Sequence, residues 1–101
     1  MILVTVDVIL NDNIDPELQA ALHYVDTKSA KEPGCLKHVT SVDVGDPRRI
    51  QILGLWESLQ VLKPHFQTAH MVEIQKSLGK QRVHSLKSRV FDVEKEVLFP
   101  N

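Results

Sequence analysis

The first ten residues, MILVTVDVIL, constrain the fold more than any other stretch of the chain. Side chains of an extended strand alternate between two faces, so Ile2, Val4, Val6, Val8 and Leu10 share one face and Leu3, Thr5, Asp7 and Ile9 the other. Both faces are largely apolar, which predicts a strand covered on both sides. The odd-numbered face carries the two polar groups and is expected to be the one that meets a pocket. The run is too short for a membrane span and lacks a basic leading segment, so it reads as a strand and not as a signal peptide.

A chain of 101 residues fits a single domain over residues 1–101. A domain of this size buries only about two-thirds of the surface that its unfolded chain exposes, so a second copy laid on one sheet face adds useful stability. The 12 basic and 13 acidic residues leave a formal charge of −1. They are interspersed, and the most basic stretch, Lys76 to Arg89, is diluted by apolar residues, which argues against a nucleic-acid partner. The single cysteine, Cys35, cannot form an intrachain disulfide, consistent with a reducing compartment and an expected cytoplasmic location without a membrane partner.

Asp15-Pro16-Glu17 supplies a cap carboxylate, a proline at the first helical position and an acid in the first turn. Leu18, Ala21, Leu22 and Val25 then form one apolar stripe, predicting a helix to about Ala30 that Pro33-Gly34 ends. Cys35 to Val44 reads as a strand with Leu36, His38, Thr40, Val42 and Val44 on one face. Gly45-Asp46-Pro47 turns the chain into a third strand, Arg49 to Trp56, paired with the second as an antiparallel hairpin. Gly54 inside that strand marks a bulge or a close approach to the backbone. Ser58 caps a short helix over Leu59 to Leu62 that Pro64 breaks, and Thr68 caps a second major helix ending at Gly79. Its stripe is Met71, Ile74, Gln75 and Leu78. Ser85 to Phe99 reads as a long last strand whose outer end reaches beyond its own subunit.

The order β, α, β, β, α, β is the ferredoxin-like arrangement of the α+β class. Two helices cover one face of a four-stranded sheet. The other face has no covering element in this chain, and a two-fold mate is the economical cover.

Glu32-Pro33-Gly34-Cys35 before a strand, Trp56-Glu57-Ser58, His65, and Thr68-Ala69-His70-Met71 together resemble the core pattern of the antibiotic-biosynthesis-monooxygenase family. Within it the chain looks closest to the quinol-oxidising monooxygenases. The resemblance covers nearly the whole chain and implies a homodimeric α+β barrel with a largely apolar pocket in each subunit. It implies a small quinol, anthrone or polyphenol as substrate, oxidised with dioxygen and without a cofactor. Two departures stand out: Pro64 directly before His65, and His38 at a strand position where relatives often carry an aromatic such as tyrosine. The haem-degrading branch is disfavoured, because His65 stands where those relatives carry a second tryptophan and Asp7 where they carry an asparagine.

Cofactor-free oxygenation needs the substrate anion, hence a base of near-neutral pKa in a dry pocket. Of five histidines, His65 and His70 are the candidate bases; each can equally serve a helix end. Asp7 is expected to orient a histidine, to act as a base, or to stay a solvated acid at the barrel mouth. Trp56, His38, Thr40 and Arg89 are candidate substrate-binding residues. Trp56 can also be plain core and Arg89 an exposed strand charge. No metal is expected, since residues 65 and 70 fall about 140° apart on a continuous helix and no acid stands at ligand spacing. A glycine-rich phosphate cradle is lacking as well. Two rival readings use the same scaffold: a cofactor-free isomerase or lyase, and a non-catalytic ligand-binding stress-response barrel.

Overall fold

The computed structural model describes residues 1–100. Strand β1 spans Ile2–Leu10, helix α1 Pro16–Ser29, β2 Cys35–Asp43, β3 Asp46–Trp56, the one-turn helix α2 Leu59–Leu62, α3 Ala69–Arg82 and β4 Val83–Asp92. A 3-10 segment over Lys63–Gln67 joins α2 to α3. The strands form one antiparallel sheet in the order β2-β3-β1-β4, the ferredoxin-like βαββαβ arrangement. Among the described residues no helix is long and apolar enough to cross a membrane.

Local chemistry explains the element ends. The Asp15 carboxylate accepts from the Leu18 amide at 2.8 Å, and Pro16 occupies the first turn of α1. Ser58 caps α2 and Thr68 caps α3, each accepting an amide three residues on. Pro64 redirects the chain as expected: it opens the 3-10 segment, where its missing amide proton costs nothing. Gly79 breaks α3 with φ +36°, although helical hydrogen bonding resumes to Arg82. Gly34 has φ +82°, and a β-carbon there would lie 2.6 Å from Val61 Cγ2, so the turn after α1 admits only glycine.

Strand register decides what meets what. Across the sheet, His38, Gly54, Val4 and Val90 form one row, and Thr40, Ile52, Val6 and Ser88 the next. These rows face the helices. Val8, Leu10, Leu18, Leu22, Val25, Ile50 and Ile74 make the larger core; Ile2, Val4, Trp56 and Leu62 make a second cluster beside it.

Two expectations are met only in part. The odd-numbered face of β1 does line a pocket, an open one that Asp7 and Ile9 share with Gln51 and Lys87, but the apolar cavity beneath the helices lies on the even-numbered face. And β4 ends at Asp92 rather than Phe99, with Val97, Leu98 and Phe99 exposed. The pairing outlasts the strand by one step, because Val93 exchanges backbone hydrogen bonds with Met1. Among the described residues, no ladder pairing with β4 follows that step.

Candidate active site

A cavity of about 210 Å³ lies between the sheet and the helices. Its walls are mainly aliphatic: Val4, Val6 and Val8 of β1, Leu22 and Val25 of α1, and Met71, Ile74 and Leu78 of α3. Phe66, Gln75, Leu86 and Ser88 line it too and are exposed, which marks its mouth. At roughly 30 Å³ per water the space equals about seven waters, the bulk of a one- or two-ring aromatic.

The polar end of the cavity is built around Trp56, 1% exposed. Gly54 makes this possible: a β-carbon at that position would stand 2.8 Å from Trp56 Nε1 and 3.6 Å from His38 Cδ2, so the missing side chain is the space the indole occupies. The Trp56 Nε1–H has no hydrogen-bond partner among the described residues. His65 packs on the indole with ring centroids 4.7 Å apart, and His38 meets it edge-on at 6.5 Å. The two imidazole centroids are 5.3 Å apart.

Each imidazole is held by its own carboxylate. His65 Nδ1 lies 2.7 Å from Glu32 Oε2, and His38 Nδ1 lies 2.8 Å from Asp26 Oδ1. A carboxylate only accepts, so both Nδ1 atoms carry a proton, and in the neutral form of each ring Nε2 is the nitrogen with the lone pair. His70 differs. Its Nε2 touches Glu32 Oε2 at 2.9 Å and Thr68 Oγ1 at 3.1 Å. Thr68 spends its hydroxyl proton on the His65 carbonyl at 2.8 Å, so His70 Nε2 must donate to both neighbours. His70 thus braces Glu32 and does not line the cavity.

Burial holds the His65 pKa below its ordinary value of 6.5, an effect the adjacent Glu32 carboxylate opposes; His38 and His70 add to the lowering. His65 is therefore neutral at pH 7, the state a base requires. Cys35 is half-buried, with its thiol donating to the Lys37 carbonyl at 3.6 Å, and burial raises its pKa, so it is a poor nucleophile.

The model for the antibiotic biosynthesis monooxygenase family matches residues 12–77. The chain belongs to this family. Solved structures agree in fold. A Deinococcus radiodurans protein, provisionally assigned to the antibiotic biosynthesis monooxygenases, is 17% identical over 100% of both chains, with a TM-score of 0.83. A Nitrosomonas europaea protein with the same provisional assignment is 16% identical over 94% of this chain and 100% of its own, with a TM-score of 0.85. A Bacteroides thetaiotaomicron protein of unknown function, suggested to be an oxidoreductase, is 23% identical over 89% and 94%, at 0.78. None of the curated proteins matches the sequence.

The fold of this family member brings together four of the residues singled out in the sequence, His65, His38, Thr40 and Trp56, around one cavity. Two others lie elsewhere. Asp7 is exposed on the helix-free face and accepts from Gln51 Nε2 at 3.0 Å. Arg89 pairs in register with Thr5, so it sits on that same outer face. The parity that put Asp7 on the odd-numbered face of β1 holds; the cavity formed on the side that the helices cover. Sequence reasoning missed Asp26 and Glu32. Asp26 follows Leu22 by four positions and so stands within the buried stripe of α1, an anomaly visible in the pattern. Glu32 appeared only as part of a turn motif.

Glu32 also revises the ground on which a metal was set aside. Its carboxylate, His65 Nδ1 and His70 Nε2 lie within 4.8 Å of one another, so an acid does stand at ligand distance. As arranged, both nitrogens donate to that carboxylate, so hydrogen bonds hold the cluster together.

Proposed function

We propose that the protein is a cofactor-independent monooxygenase that oxidises a one- or two-ring quinol or polyphenol with dioxygen. The observation that carries this reading is the geometry of His65. Glu32 holds its Nδ1, its unpartnered Nε2 belongs to a ring lining an apolar cavity, and burial keeps the ring neutral. Abstraction of a phenolic proton by Nε2 gives the electron-rich anion that passes an electron to dioxygen, and in this reading the Trp56 Nε1–H donates to the resulting oxyanion. The redox balance closes on the substrate. A hydroquinone and dioxygen become a hydroxyquinone and water, with one oxygen atom inserted, the other reduced to water, and all four electrons supplied by the substrate.

The working unit in this reading is a homodimer. Leu3, Leu53, Leu55, Val39 and Phe91 form a contiguous apolar patch on the helix-free face, and the exposed Val97, Leu98 and Phe99 extend the apolar surface at the chain end. A second copy packed on that face covers both.

Oxygen-electrode measurements with a panel of hydroquinones, dihydroxynaphthalenes and anthrones test the proposal. At least one compound is expected to give enzyme-dependent dioxygen uptake, with one hydroxyquinone formed per dioxygen from a quinol, or one quinone from an anthrone, and no hydrogen peroxide. Uptake that His65→Ala leaves unchanged, or stoichiometric peroxide release, refutes the assignment.

A further inference from the structure

Inserting one oxygen atom by the route above requires two proton removals at different atoms. The first proton leaves a substrate hydroxyl. The second leaves the ring carbon that has gained oxygen, because the O–O bond breaks only when that C–H electron pair becomes the new C=O bond. An imidazole in a fixed position reaches one of these atoms well and the other poorly, and this cavity contains a second imidazole prepared in the same way.

Resting on the monooxygenase reading, we propose that His38, oriented by Asp26, is a second catalytic base that removes the ring-carbon proton in the half-reaction that breaks the O–O bond. Three donors fix the Asp26 carboxylate: His38 Nδ1 at 2.8 Å, Thr40 N at 2.9 Å and Thr40 Oγ1 at 3.1 Å. The His38 side chain is 6% exposed. Its Nε2 has no hydrogen-bond partner among the described residues, and the ring lines the cavity. A purely structural tie between α1 and β2 is already complete through the two Thr40 donors, one on each Asp26 oxygen. That tie does not need the imidazole, whose unpartnered Nε2 is not sealed in the core but stays accessible on a ring that lines the cavity. The arrangement has a use when a proton is delivered to the free nitrogen, since the carboxylate then stabilises the imidazolium.

For 1,4-dihydroxynaphthalene the sequence is explicit. His65 Nε2 takes a hydroxyl proton, and the naphtholate passes one electron to dioxygen. Radical and superoxide combine at the neighbouring ring carbon, and the peroxide oxygen takes its proton back from His65. His38 Nε2 then takes the proton from that carbon, the C–H pair forms C=O, the O–O bond breaks, and the departing hydroxide takes the proton from His38 to leave as water. The product is the hydroxynaphthoquinone. Both bases end neutral and no external reductant enters.

The test uses ring-deuterated and unlabelled 1,4-dihydroxynaphthalene with wild type, His38→Phe and Asp26→Asn, following dioxygen uptake and quenched intermediates by mass spectrometry, with ¹⁵N NMR of the histidines alongside. In His38→Phe, kcat is expected to fall by about 100-fold. About one equivalent of substrate hydroperoxide should accumulate per site, and a primary deuterium effect should emerge on kcat. Asp26→Asn should lower kcat with little change in KM and shift the His38 ¹⁵N signals away from the Nδ1–H tautomer. Hydroperoxide-free turnover by His38→Phe at the wild-type rate overturns the second base while leaving the monooxygenase reading intact. A neutral wild-type His38 protonated on Nε2 overturns it whatever the substrate and without reference to turnover. Dioxygen uptake by no compound of the panel removes the parent reading and this inference together.

Discussion

Glu32 reaches His65 across 33 residues of sequence to place Oε2 2.7 Å from Nδ1, and the same oxygen lies 2.9 Å from His70 Nε2. One acceptor from the turn after α1 thereby sets the orientation of two histidines on either side of the Thr68 cap. Replacing Glu32 by glutamine keeps the shape and removes the charge. The amide must then pair with two N–H donors through one oxygen, with its NH2 directed at no acceptor. Glu32→Gln is expected to lower stability by about 1.5–3 kcal/mol in urea unfolding, the range for a hydrogen bond to a charged group. It should also cost about 100-fold in kcat with KM less affected, because the His65 tautomer is no longer enforced. Equal stability and equal turnover would show that the carboxylate does not orient the base.

His65 also predicts a pH dependence. Burial lowers its folded-state pKa below 6.5, so the folded state binds fewer protons than the unfolded state between that lowered value and 6.5. Stability therefore rises with pH across this window, is complete above 6.5 and is lost as the pH falls through it. The kcat/KM profile should show its acid limb below pH 6.5 for the same reason. Denaturant unfolding between pH 5 and 8 checks the first, and initial rates over the same range the second. His65→Asn should flatten the stability slope. An acid limb above 6.5 would mean that another group limits the rate.

Asp7 and Arg89 set the opposite expectation. Both lie on the helix-free face, away from the cavity beneath the helices, so Asp7→Asn and Arg89→Ala, assayed on protein that still sediments as the dimer, should each leave kcat within about twofold. A drop of 100-fold in either variant would place the chemistry on the outer face.

The contrast between these residues and the cavity shows what sequence can and cannot carry. Period two put Asp7 and Thr5 on one side of β1 and the Asp15-Pro16 and Thr68 caps set the helix starts, because both signals act over a few residues. Gly54 correctly marked a close approach, but which side chain approaches depends on register with β2 and on Trp56 two residues later. Which face becomes the cavity is a tertiary matter. It forms where glycine on β3 and imidazole on β2 leave space beneath α1 and α3, and no local pattern encodes that. Asp26 lay within reach, since an acid inside an apolar helical stripe demands a buried partner. Its pairing with His38 and Thr40, 12 and 14 residues on, follows only once α1 is laid across β2.

The helix-free face supplies the last prediction. Leu3, Leu55 and Phe91 stand in one cross-strand row, with Lys37 at its end, and Thr5, Leu53 and Val39 stand in the row beside it, with Arg89 at the opposite end. Phe91 remains 44% exposed in the single chain. A patch of this kind on a sheet without helices should be covered by a second copy, so sedimentation velocity at micromolar concentration should give a species of about twice 11.5 kDa. Phe91→Glu sets a carboxylate against its own symmetry mate or against apolar side chains and should yield monomer. The Trp56–His65 packing lies on the other side of the sheet, so the monomer should keep its fold by circular dichroism. Wild-type protein that sediments as 11.5 kDa throughout this range would leave the apolar face without a mate and rule out the dimeric barrel.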